Sequence, residues 1–200
     1  MVSADRQNIP DEDVALVASW RRGDISSFES LVWKYQKKML NIAFRIMDDY
    51  EDACEVTQDA FVSAYKEIDS FRGETSFSTW LTRITMNISR NRYRQTMVKR
   101  KNEVSSLDSA GVGTPHQERA SSEPTALEQL ELSAFHRRLM QCINSLSIEF
   151  RETLVLRDLQ GYSYREICAI LDLREGTVKS RLFRARDMIR DCLKKGQREA

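Results

Sequence analysis

Chain breakers are scarce in this sequence. Seven glycines and three prolines among 200 residues fall well below the roughly 12% that average usage would give. That scarcity argues against a turn-rich sandwich or barrel and for a chain built mostly of helices. Long apolar runs are missing as well. The longest are a few residues, such as Leu154-Val155-Leu156, against the roughly 18–20 that a membrane span needs. Met1–Asp13 is polar and acidic and has neither the basic start nor the apolar stretch of a secretory leader, so the cytoplasm is the expected compartment. Only two histidines are present, His116 and His136, and the four cysteines (Cys54, Cys142, Cys168, Cys192) form no CxxC pair. No metal-ligand spacing results. The cysteines read as small apolar side chains in helices, with no positive sign of a redox role. There is no glycine-rich phosphate loop, no Ser/His/acid or Cys/His grouping and no evident carboxylate pair. Nothing recommends an enzyme, and no cofactor or small-molecule substrate is expected.

What is present is a folded, soluble composition, 41% hydrophobic and 30% charged, which is too apolar for a disordered chain. Net charge is only +1, but its distribution is uneven. Asp48–Asp69 carries eight acids against Lys66 alone, a net of −7. Arg72–Lys101 carries eight bases against Glu74 alone, a net of +7. Adjacent segments of opposite sign suggest two surfaces with different partners, one of them nucleic acid. Mutual neutralisation across one fold remains open at this point.

One seam divides the chain. Residues 102–125 hold Gly111, Gly113, Pro115, Pro124 and five serines, with no apolar period. They read as a flexible linker between two helical domains, 10–101 and 126–197, so limited proteolysis should cut there first. Upstream, Val14, Val17 and Ala18 precede a helix stop at Gly23, and Phe28 to Ile46 follows the three-or-four-residue step of a long amphipathic helix. Asp49 should cap a third helix burying Val56, Ala60, Ala64 and Ile68. A fourth carries Phe77, Trp80, Leu81, Ile84 and Ile88 on one face, with Arg83, Asn87, Arg90 and Arg94 on the other. Downstream, one apolar stripe runs through Leu132, Phe135, Leu139, Cys142, Ile143 and Leu146. Another, Phe150, Leu154, Val155 and Leu159, ends at Gly161. No strand-period segment stands out.

Two constellations carry chemistry. Ser163-Tyr164-Arg165-Glu166 is a capping-box pattern. It opens a short helix, a three-residue break follows at Asp172–Arg174, and a longer helix starts near Glu175. That is the shape of a helix-turn-helix, whose second helix enters a DNA major groove. Thr177, Lys179, Ser180, Arg181, Phe183, Arg184 and Arg186 would be its exposed positions, where lysine, arginine and serine can bond base edges or phosphates. A generic helical hairpin with a solvated basic face is the plainer alternative. The second constellation is the loop bearing Phe71, Arg72, Ser76 and Phe77, followed by Arg83, Asn87 and Arg90. Aromatic rings, a side-chain amide and a positive field are what grips an unstacked base, although Phe77 and Trp80 suit a core equally well. The acidic helix, with Gln58 and Asp59 on it, suits a basic protein partner or simply water.

Three segments resemble the bacterial sigma-70 family, and in particular its small two-domain extracytoplasmic-function group: Asp52–Ala64 (DACEVTQDAFVSA), Phe71–Trp80 (FRGETSFSTW) and Gly161–Arg186 (GYSYREICAILDLREGTVKSRLFRAR). The resemblance implies an all-α protein of two small domains joined by the linker. The first would be a region 2 domain and the second a region 4 domain containing the helix-turn-helix. It implies a subunit that binds core RNA polymerase and promoter DNA to direct transcription initiation. An anti-sigma factor would hold it inactive, with membrane association only through that partner. Carried onto this chain, Asp52, Glu55, Gln58, Asp59 and Phe61 would meet the polymerase. Phe71, Arg72, Ser76, Phe77, Arg83, Asn87 and Arg90 would capture the melted −10 strand. Thr177, Lys179, Ser180, Arg181, Phe183 and Arg184 would read the −35 duplex. Two positions depart from the family pattern. Ser147 stands where many relatives have proline and should cap its helix, and Asp59 stands where glutamate is common, which keeps the charge. The competing readings are a free-standing helix-turn-helix regulator, which would lack the acidic helix beside the strand-binding loop, and a helical protein adaptor, which would leave the bases of Arg83–Lys101 unexplained.

Overall fold

A computed structural model describes residues 12–104 and 126–198, and no strand occurs among them. The expected linker lies outside the described residues, apart from 102–104, which continue a helix.

Helix α1 (Glu12–Arg21) stops before Gly23, whose φ of 97° lies in the left-handed region that favours glycine. Asp24 then caps α2 (Ile25–Met47). Its carboxylate accepts from the Ser26 N–H at 3.1 Å and from the Ser26 and Ser27 hydroxyls at 2.7 and 2.6 Å. Those bonds, Ser27's foremost, hold the Asp24 carboxyl below its ordinary value. The cap is therefore formed at neutral pH and is lost only as acid protonates it. The next corner uses two adjacent aspartates differently. Asp48 ends α2 in the left-handed region at φ 57°, which short polar side chains tolerate. Asp49 opens α3 (Tyr50–Lys66) by accepting the Asp52 N–H at 2.9 Å, the cap that the sequence predicts. Ala53, Val56, Ala60 and Ala64 of α3 are fully buried against α2, small residues that let the two helices approach closely.

Helix α4 (Phe77–Val104) follows a loop that contains one 3-10 turn, Ile68–Ser70. Its buried face differs from the apolar stripe read from the sequence. Phe77 and Leu81 are buried, but Trp80, Ile84 and Ile88 are only half-buried. The most enclosed positions instead include Thr79, Thr82, Thr85, Met86 and Ser89. These hydroxyls are buried because α4 is covered by α2 and α3 and also by the second half of the chain. Thr85 and Ser89 satisfy theirs on carbonyls four residues back, at 3.0 and 2.8 Å.

The second half comprises α5 (Ala126–Asn144), α6 (Ile148–Leu154), a π-helical turn (Val155–Leu159), α7 (Tyr164–Leu171) and α8 (Glu175–Arg198). The extra residue of the π turn rotates the helix face, and Leu159 comes out exposed rather than buried. Phe135, expected on the apolar stripe of α5, is also exposed. Ser147 occupies the N-cap of α6, but its side chain makes no capping bond, contrary to expectation. At this corner the Arg151 guanidinium instead donates to the Asn144 and Leu146 carbonyls of the preceding turn. The capping box of α7 forms as the sequence predicts, with the Ser163 N–H on the Glu166 carboxylate at 2.8 Å and the Glu166 N–H on the Ser163 hydroxyl at 3.3 Å. Ser163→Ala is expected to lower stability by about 1 kcal/mol, read as a fall in the thermal midpoint.

The cysteine reading needs correction. Cys142 of α5 and Cys192 of α8 are joined as a disulfide, while Cys54 and Cys168 are free. A 50-residue separation gives no local signal of pairing. The main core is continuous across both halves, from Leu31, Met39 and Phe77 to Leu156, Tyr162 and Ile167. A second cluster lies between α5, α6 and the later turns of α8.

Candidate nucleic-acid interface

Asp172 closes α7 in the left-handed region at φ 54°, and α8 leaves three residues later. Ile167, Ile170 and Leu171 of α7 join Val178 and Leu182 of α8 in the core, so the opposite side of α8 faces outward. Lys179, Ser180, Phe183 and Arg184 are exposed there, and Thr177 and Arg181 are half-buried. Phe183 is 74% exposed, and folding alone gives no reason for a bare phenylalanine at this place. It borders a cavity of about 300 Å³ shared with Tyr164, Lys179 and Arg186. Lys179 is drawn to Glu175 at 2.7 Å, and that bond raises its pKa. Arg186 grips Asp158 with two bonds of 2.9 and 2.6 Å. Arg186 is therefore committed to the fold, whereas Arg184 makes no ion pair among the described residues.

The loop before α4 divides its residues. Phe71 and Phe77 are 7% and 1% exposed, locked edge-to-face at 5.9 Å and both packed on Trp80. As they stand, neither ring offers a face to a base. The structure confirms the core alternative for Phe77, while Trp80 is half-buried. Arg72 stays exposed. Ser76, also exposed, accepts the Thr79 N–H at 3.1 Å and so caps α4. Arg83 and Asn87 are exposed on the outer side of α4. Beside the loop lies a second cavity of about 240 Å³, to which α1 contributes Asp13, Val14, Val17 and Arg21.

On α3, Glu55, Gln58 and Asp59 are exposed, Asp52 is half-buried, and Phe61 points into the core. Arg92 of α4 reaches this acidic face. It pairs with Glu55 and lies 3.3 Å from Asp52 and 3.9 Å from Asp59. The −7 and +7 segments thus do neutralise each other, but only along one edge. Asp59 remains 61% exposed.

Two family models match the chain, sigma-70 region 2 over residues 31–97 and sigma-70 region 4 over residues 136–189. The ECF RNA polymerase sigma-E factor of Escherichia coli K12 is 37% identical over 180 residues, which are 88% of this chain and 92% of that one. The chain belongs to the extracytoplasmic-function sigma factors of the sigma-70 family. The RNA polymerase sigma-H factor of Pseudomonas aeruginosa is 35% identical over 196 residues, 95% of this chain and 98% of that one. Two solved structures share the fold at 26% identity. One is the sigma factor RpoE with the anti-sigma factor NepR from Bartonella quintana (TM-score 0.62, covering 84% of this chain and 96% of that one). The other is CnrH with the cytosolic domain of CnrY (TM-score 0.65, covering 92% and 97%).

In this sigma factor, region 4 rests directly on region 2. The Tyr162 hydroxyl meets Thr82 at 2.6 Å, and Lys38 sits 4.4 Å over the Tyr162 ring. Gln160 donates to Asn41 at 3.0 Å, and Arg151 donates to the Ile46 carbonyl at 2.9 Å. Arg90 closes the contact with two bonds, of 2.7 and 2.8 Å, to a Glu152 carboxylate only 1% exposed. That carboxylate raises the Arg90 pKa. Arg90, expected on the −10 strand, is thus occupied by region 4. No local pattern points to this, because Arg90 continues the basic period of Arg83 and Asn87. Arg21 was missed as well. It bonds the Ile68 carbonyl at 3.1 Å and also the Phe71 carbonyl, tying α1 to the loop before α4.

Proposed function

We propose that this sigma factor meets core RNA polymerase through Asp52, Glu55, Gln58 and Asp59 on α3. It reads the −35 duplex with Lys179, Ser180, Phe183 and Arg184 on α8. It captures the melted −10 strand with Arg72, Ser76, Arg83 and Asn87, and with Arg90 once that residue is released. Phe71 and Phe77 shape the loop from beneath, and Phe61 anchors α3 from within. The observation that carries this reading is one chain bearing two unlike exposed basic faces, one on a helix-turn-helix and one beside a loop cavity.

The two faces cannot work together in the closed arrangement. The promoter elements are named for positions about 25 base pairs apart, some 85 Å of duplex at ~3.4 Å per pair. A compact chain of 200 residues has a radius of gyration near 16 Å and spans only roughly 40 Å. Regions 2 and 4 must part, and the segment 102–125 reaches about 80 Å when fully extended. The closed form is accordingly the one that an anti-sigma factor would hold, as NepR accompanies RpoE in the Bartonella quintana complex. Among the described residues no helix is long and apolar enough to cross a membrane. We assign the chain to the cytoplasm, with membrane association only through such a partner.

Base reading by α8 is tested by substitution. Arg184→Ala and Lys179→Ala should each weaken promoter binding by about 1–3 kcal/mol if they contact base edges. Band-shift titrations of holoenzyme on promoters varied in the −35 element measure this. A uniform loss on all sequences would make them phosphate contacts, and no loss with either would remove α8 as the reader.

A further inference from the structure

Cys142 and Cys192 are the one covalent device in the described residues, and promoter reading does not use it. Their Cα atoms are 5.9 Å apart, a spacing ordinary for a disulfide. Cys142 lies near the C-terminal end of α5, and Cys192 lies in the later turns of α8. Around them pack Ile143, Leu146, Leu154, Ala185 and Ile189, so the two sulfurs are held together by an apolar cluster and not by a mobile loop. The closed segment runs from 142 to 192. It contains α6, α7 and the whole DNA-reading part of α8. Joining its ends constrains the complete helix-turn-helix, together with the α5 helix that arrives from the linker.

We propose that Cys142 and Cys192 are a reversible redox site of region 4, reduced to two thiols in a reducing compartment and oxidised by peroxides to a disulfide that staples α5 to α8. The order of events follows from exposure. Cys142 is 1% exposed, whereas Cys192 is half-buried, so Cys192 meets the oxidant. The Cys192 thiol gives up its proton, the thiolate attacks one peroxide oxygen, the O–O bond breaks, and with hydrogen peroxide the departing hydroxide takes up that proton, leaving a sulfenic acid on Cys192 and one water. The Cys142 thiol then attacks the Cys192 sulfur. The S–S bond forms, the S–O bond breaks, and the hydroxyl leaves with the Cys142 proton as a second water. Two thiols have lost two electrons and two protons, and the peroxide has been reduced to two waters. A dithiol reductant reverses the reaction by thiol–disulfide exchange. The other cysteines are not equivalent. Cys168 is half-buried and packs against the region 2–region 4 core, with its thiol pKa pushed up by burial and by Glu175, which disfavours the reactive thiolate. Cys54 on α3 has no disulfide partner and lies against the Tyr50 hydroxyl.

The oxidised form holds α5 against α8 through motions in which the reduced form separates them. Because the bond closes a long segment, its effect on region 4 stability is large. The test uses the full chain, purified reduced, then treated with hydrogen peroxide, and afterwards returned to dithiothreitol. Intact mass should fall by two hydrogens without dimer formation, peptide mapping should join the segments containing Cys142 and Cys192, and dithiothreitol should restore both thiols. The oxidised chain should show a region 4 melting transition higher by on the order of 10 °C, with slower hydrogen exchange in α5. Cys192→Ser, at the less buried position, should abolish the redox-dependent shift while melting like the reduced parent. Intermolecular disulfides, oxidation confined to Cys54 or Cys168, a pair that dithiothreitol does not reopen, or equal melting of both forms would each overturn the proposal.

Discussion

Asp59→Arg is expected to abolish capture of core RNA polymerase while the chain remains helical. Asp59 is 61% exposed and lies 3.9 Å from Arg92, so the fold draws little from it. Replacing the carboxylate with a guanidinium removes one acid from a segment of net −7 and adds a cation beside Arg92. Against a basic partner surface, attraction becomes repulsion, and opposed like charges in an interface cost several kcal/mol, a loss of 100-fold or more in affinity by the usual conversion. Asn87→Ala should do the reverse. Asn87 is exposed on the outer side of α4, away from α3, and its amide supplies both a donor and an acceptor to a base. Polymerase binding should survive and opening of the −10 strand should fail. Fluorescence polarisation with labelled chain measures the first property, and permanganate footprinting of the promoter measures the second. Normal polymerase binding by Asp59→Arg, or its loss in Asn87→Ala, would falsify the division of labour.

Glu152→Gln is expected to open the molecule. The substitution keeps the side chain's shape but removes the charge that faces Arg90. The Arg90 side chain is 23% exposed and that of Glu152 1%, so the pair is largely withdrawn from water. Breaking one partner of such a pair typically costs about 3–5 kcal/mol, because the remaining ion is left uncompensated. Both residues belong to separately packed helices, α4 and α6, and so the cost falls on the contact between regions 2 and 4. About 3 kcal/mol moves that equilibrium more than 100-fold toward the parted form. Small-angle scattering should show the radius of gyration rising well above the roughly 16 Å of a compact chain of this length, with circular dichroism unchanged. A parent-like radius would mean that the hydroxyl contacts of Tyr162 and the shared apolar core suffice to hold the halves together.

Much of the local architecture was legible in the chain itself, because it depends on residues close in sequence. Asp49 caps the helix that follows it, the Ser163–Glu166 box forms, and the apolar step from Leu31 to Ile46 is the buried face of α2. The helix-turn-helix and its outward basic side followed from the same short-range rules. The differences arise where a second element covers the first. Thr82 and Thr85 are polar and stand outside the apolar stripe read on α4, yet they are fully enclosed, because α2 and Tyr162 close over them. Phe71 and Phe77 have the chemistry of base stackers, but three-way packing with Trp80 turns them inward. Arg90 reads as a free basic side chain, whereas Glu152, 62 residues away, holds it in the closed arrangement. Cys142 and Cys192, 50 residues apart, are joined in the same way. The sequence by itself determined the helices, the caps at Asp49 and Ser163, the two basic faces and the acidic one, since periodicity and capping act within a few residues. Only the tertiary structure decided which hydroxyls are buried, which arginine is occupied and which cysteines meet, since those depend on contacts between distant segments that no local pattern encodes.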